Sequence, residues 1–141
     1  HYLENPMQRN DWTFTYPATQ LAQTARAKID AHQKQLDFWM AKRNELIERI
    51  RAEGIEVNEK IALGFVNQKA RDWDRGGEVM IRNDLRKGLT ETFEKLAYHT
   101  ERRDTYDGWE QVLKANPNAS FALDIEDWLF FFGRDVSRND D

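Results

Sequence analysis

Large and apolar residues recur at steps of four and three between Ala18 and Glu53: Ala25, Ile29, His32, Leu36, Trp39, Arg43, Leu46 and Ile50. That spacing draws one narrow seam along a helix, as in a coiled coil, and Gly54 is the residue type that closes a helix. A helix of about 36 residues is about 54 Å long. Propensity alone does not hold such a rod in water, so something must cover its seam. Leu85 to Ala115 supplies a second rod of similar length. Its seam reads Leu85, Leu89, Phe93, Leu96, Thr100, Arg103, Tyr106, Trp109 and Leu113, begun at Asn83 or Asp84 and ended by Asn116-Pro117. Gly88 and Gly108 each weaken this helix by about 1 kcal/mol relative to alanine, and Gly108 marks a place for a break.

Two matched seams predict a mainly α fold: a long antiparallel helical hairpin over about 18–53 and 84–115. Pairing residues whose numbers sum to about 135 sets Ile50 beside Leu85, Leu46 beside Leu89 and Ile29 near Tyr106. Polar groups then gather near the middle as a seam layer of His32, His99 and Arg103. The bland account of that layer is a hydrogen-bonded register pin. The sharper account is a metal site, but no His-x-x-x-His or Glu-x-x-His spacing is present, so no metal and no cofactor are assigned.

The remaining segments carry other patterns. Trp12-Thr-Phe-Thr-Tyr16 alternates with period two and reads as a strand over 12–16, and Glu78–Arg82 reads as its partner in a small two-strand β element. In a straight hairpin these strands fall at opposite ends, which makes pairing across two chains the easier solution. The connector 54–81 is too long for a simple turn, and 58–73 is a candidate helix in which Gly64 is the awkward residue. Ser120–Leu123 suits an extended stretch. Asp124 caps an aromatic C-terminal helix over about 125–132, stopped by Gly133.

Residues 1–6 read as a leader foreign to the domain, with Met7 its natural start. A single helical domain follows over 7–133, and 134–141 forms a flexible acidic tail. The net charge is −4, all of it arising from Asn118 onward. That balance excludes a globally basic nucleic-acid binder. Absence of cysteine excludes disulfide scaffolds and thiol nucleophiles, and no apolar run approaches a membrane span. A cytoplasmic location is therefore expected. No phosphate loop or nucleophile turn is present, so no catalytic residue is assigned.

Aromatics are in surplus, with five Trp, eight Phe and four Tyr. One seam cannot use them all. Trp12, Phe14, Tyr16, Trp128, Phe130, Phe131 and Phe132 are therefore expected at an interface. The expected function is that of a non-enzymatic interaction or assembly protein, self-associating as a homodimer and binding a further protein. The alternative is a nucleic-acid-associated protein using Lys69, Arg71, Trp73, Arg75, Arg82, Arg86 and Lys87, where bases flank a tryptophan. A third reading is a small metal-dependent enzyme around His32 and His99.

Overall fold

A computed structural model describes residues 12–67 and 81–134 of the chain. The expected 1–6 leader and most of the acidic tail, 135–141, lie outside the described residues. The described elements run β1 (Phe14–Pro17), α1 (Ala18–Ala52), α2 (Glu59–Asn67), α3 (Asn83–Ala115), β2 (Ser120–Leu123) and α4 (Ile125–Phe132). The fold is mainly helical, with the two long rods, the two-strand element and the short C-terminal helix that the patterns predict. The described residues divide into two packed units, one of 12–32 with 102–134, the other of 33–67 with 81–101.

In the first unit β1 pairs antiparallel with β2, Phe14 opposite Leu123 and Pro17 opposite Ser120. This corrects the expected partner at 78–82: Ile81 and Arg82 are not in a strand, and 78–80 lie outside the described residues. Proline has no N–H to give to a ladder, and here it stands as the strand's last residue. Ala18 then donates its N–H to the Ala119 carbonyl at 2.9 Å and starts α1. The Asp124 carboxylate accepts the Asp127 N–H at the start of α4, and Gly133 donates to the Leu129 carbonyl at its end. The core collects Ala18, Leu21, Ala25, Leu113, Leu123 and Phe131, with Tyr16, Phe121, Trp128, Phe130 and Phe132 packed against it.

In the second unit the core is Leu46, Ile47, Ile50, Val57, Ala62, Phe65, Ile81, Leu85 and Leu89. Here α3 passes so close to α1 that a Cβ on Gly88 would stand 3.3 Å from both δ-carbons of Leu46. Gly54 takes φ +85°, the left-handed conformation that lets the chain leave α1. Asn58 then caps α2, its side-chain oxygen accepting the Ile61 N–H at 2.9 Å. The α2 helix runs through Gly64 without interruption.

The α1 seam is as expected: Ala25, Ile29, His32, Leu36, Trp39, Leu46 and Ile50 are buried and Arg43 is half-buried. The α3 seam is corrected in two places, and at a third it takes one of two expected neighbours. Thr92 and Glu110 are buried where Phe93 and Trp109 were expected, and His99, expected in the polar layer, is buried while Thr100 beside it is half-buried. Each lies one residue away, because a strict alternation of four and three from Leu85 selects position over size. Thr92 tolerates burial by donating its hydroxyl to the Gly88 carbonyl at 2.7 Å. Gly108 does not break the helix.

Candidate functional site

In the first unit the buried polar residue that α3 presents most forcefully is Glu110. The Arg26 guanidinium grips it as a fork, Nε to Oε2 at 2.9 Å and an Nη to Oε1 at 2.6 Å, and Lys114 adds a second cation at 3.4 Å. Hydrogen bonds from Arg26 hold the Glu110 carboxyl below the usual carboxylate range, against the desolvation of its burial, with Lys114 reinforcing them. This pair bolts α1 to α3. Its oxygens are taken by cations of the chain itself, which suits a structural part better than a catalytic base.

One turn earlier on α3, Tyr106 is fully buried and stacked between rings. His32 lies 5.9 Å away on centroids, nearly parallel, and Phe130 lies at 4.2 Å. The Tyr106 hydroxyl donates to the Phe130 carbonyl at 2.5 Å, and the Arg102 guanidinium sits 5.2 Å from the Phe130 ring. Lys28 donates to the Gly133 carbonyl at 2.8 Å. Together these fasten α4 to both long helices.

One open surface among the described residues of this unit lies on α3. Asp104, Thr105, Gly108, Trp109 and Val112 line an open groove of about 380 Å³. Their spacing places them along one side of the helix away from the seam. Trp109 is 37% exposed and Val112 47%. One edge of Trp109 leans on Phe131, ring centroids 5.8 Å apart at 73°, so the indole is braced rather than loose. Gly108 is among the lining residues, and a Cβ there would meet nothing within 4 Å.

The expected site residues are distributed as follows. Phe14, Tyr16, Trp128, Phe130 and Phe132 are half-buried, Phe131 is in the core and Trp12 is exposed. They pack largely on one another: Tyr16 against Phe132 at 4.7 Å, Phe14 against Trp128 at 5.9 Å, and the Trp128 indole N–H donating to the Tyr16 hydroxyl at 2.9 Å. Pairing of β1 with β2 inside one chain brings both ends together, so no second chain is needed for that purpose. His32 and His99 are both buried, each only 2% exposed, His32 in the first unit and His99 in the second. Arg103 is half-buried and pairs with its neighbour Asp104 at 3.1 Å.

Of the basic segment, Lys69, Arg71, Trp73 and Arg75 lie outside the described residues. Arg82 is engaged by Asp84 and Glu53, Arg86 donates to the Asn83 side chain at 3.2 Å, and Lys87 is exposed. Among the described residues no three His, Asp or Glu side chains converge as a metal site would require. None of their helices is long and apolar enough to cross a membrane. Sequence reasoning missed Arg26, Glu110 and the Gly108 groove. The Glu110 signal was available, since the four-three stride from Tyr106 lands on it. Comparison with protein families, with curated proteins and with solved structures finds no match to this chain.

Proposed function

We propose that the protein is a non-enzymatic interaction or assembly protein of the cytoplasm, working through an aromatic helical surface. The observation that carries this reading is the α3 groove, where a braced tryptophan and a valine stand partly exposed beside a glycine. Tryptophan is enriched among residues that dominate binding energy. An indole already held by Phe131 loses little freedom on docking, which lowers the entropic cost of association. The glycine lets a partner's backbone or side chain approach closely. The buried polar groups of the same unit point the same way, because Glu110 and Tyr106 spend their hydrogen bonds on joining elements.

The test compares the wild-type protein with Trp109→Glu and Val112→Glu, each immobilised and exposed to extract of its own host. Val112 and Trp109 are 47% and 37% exposed, so both variants are expected to keep the wild-type circular dichroism, with Trp109→Glu losing some thermal stability from its contact with Phe131. Proteins retained by the wild type and lost by both variants are the expected result. Identical retention by all three would overturn the reading.

A further inference from the structure

We infer that the outer edge of β2 takes an extended, basic segment of a partner protein as a third strand of the sheet. This surface is built from other residues than the α3 groove and does not depend on it. In an antiparallel pair, alternate residues exchange both backbone hydrogen bonds, and the residues between them aim theirs away from the partner strand. Ala18 donates to Ala119 across the strands, and Pro17, opposite Ser120, has no N–H. The alternation then makes Tyr16 with Phe121 and Phe14 with Leu123 the bonded pairs. It leaves Ser120 and Ala122 with N–H and C=O groups that point off the sheet. Among the described residues no hydrogen bond outside the ladder reaches either one. A row of unpaired amides on a strand is a template for another strand. Pro17 blunts the opposite edge, on β1. No such guard stands on β2, which carries neither proline nor lysine, and its Ser120 and Ala122 are small and exposed.

Polarity and charge then select the occupant. Side chains alternate along a strand, and Asp124 keeps the extended backbone, with φ −76° and ψ −178°. Ser120, Ala122 and Asp124 therefore share the outer face. Phe121, half-buried, and Leu123, buried, share the inner one. A strand laid along β2 needs apolar side chains beside Phe121 and Leu123 and polar ones beside the other three. At the Asp124 end the polar group it needs is a cation. The Asp124 carboxylate accepts the Asp127 N–H, and among the described residues no basic side chain pairs with either acid. Partial desolvation, and after it the Asp124 and Glu126 carboxylates, raises the Asp127 carboxyl above its usual range. A lysine or arginine beside Asp124 relieves that crowding. A second copy is the poorer occupant, because β2 paired with its own copy adds another acidic end and no base.

The experiment uses the purified, isotope-labelled full chain and a capped peptide that alternates valine with lysine, read by amide hydrogen exchange. In the free chain the Ser120 and Ala122 amides should exchange freely, while those of Phe121 and Leu123 are protected. Saturating peptide should slow exchange at Ser120 and Ala122 by about tenfold or more. The same peptide with glutamate for lysine should bind at least about tenfold more weakly. A version methylated at every backbone nitrogen keeps the charge but cannot donate, and should give no protection. Ala122→Pro removes an N–H that the ladder does not use, so it should keep the fold and abolish binding. Asp124→Asn keeps the helix cap, since asparagine caps as well as aspartate, and should weaken the basic peptide about threefold. Should Ala122→Pro fail to fold, Asp124→Asn and the methylated peptide decide the matter. Protection of Ser120 and Ala122 in the free chain overturns the inference, and protection that grows with protein concentration identifies a second copy instead. Absence of binding by the alternating peptide, equal binding of the basic and acidic peptides, protection by the methylated one, or indifference to Asp124→Asn overturns it too.

Discussion

Glu110 shows how one residue ties together sequence position, burial and charge. Its carboxylate is nearly sealed, yet it stays ionised because the Arg26 fork and Lys114 surround it. A carboxyl whose folded pKa lies below its unfolded value stabilises the fold at pH above the unfolded value, about 4.3, and loses that contribution as pH falls through the folded one. Stability should therefore decline on acidification below about pH 4.5, and Glu110→Gln should flatten that limb in denaturant titrations taken from neutral to acid pH. Phe131 makes the contrasting case of an apolar residue. It is 1% exposed and touches the Trp109, Phe130 and Phe132 rings. Phe131→Ala should cost about 3–5 kcal/mol in urea unfolding, from lost transfer energy and an unfilled cavity.

Among the elements, capping and glycine chemistry make the clearest tests. Asp124 holds the first turn of α4 through the Asp127 N–H, so Asp124→Ala should cost about 1 kcal/mol. Gly54 and Gly64 should respond in opposite directions. At φ +85° an alanine strains the exit from α1, whereas Gly64 lies in α2 with open space around its Cβ position. Gly54→Ala should lower stability by about 1 kcal/mol and Gly64→Ala should raise it by up to about 1 kcal/mol, both read from thermal melts. These elements also show how much of the fold the sequence made legible. The four-three stride located α1 and its buried face, because Leu, Ile and Trp held most of the seam, though it passed over Ile47, which is buried beside Leu46. In α3 the stride competed with the aromatics Phe93 and Trp109 one residue away, and reading size before position misplaced the seam at Thr92 and Glu110. The two-strand element was legible as alternation at Trp12–Tyr16, but pairing is a long-range choice that local pattern does not encode. Ser120–Leu123 carries the right residues for a strand, yet nothing local marks it as the partner. The groove was illegible for another reason: it depends on Gly108 remaining helical, and that residue had suggested a break.

At the scale of the whole molecule, each packed unit has its own apolar core, and the two are assembled from chain stretches of very different separation. The core around Leu46, Ile50, Leu85 and Leu89 joins neighbours in a helix–connector–helix succession. The other unit closes a circuit: β1, near one end of the described chain, hydrogen-bonds β2, about a hundred residues later. Contacts that enclose so much chain are slow to form, since loop-closure entropy is lost before the contact returns anything. On the ribosome this has a consequence for order. Phe14 and Tyr16 emerge on a strand whose partner has not yet been made, and that edge stays open while the intervening hundred or so residues are synthesised. Pulse-labelled hydrogen exchange during refolding should find amides of α2 and the adjoining turns of α1 protected before those of the β1–β2 ladder. Simultaneous protection would show a single cooperative nucleus. A strand made about a hundred residues ahead of its partner is then among the last elements to find its place.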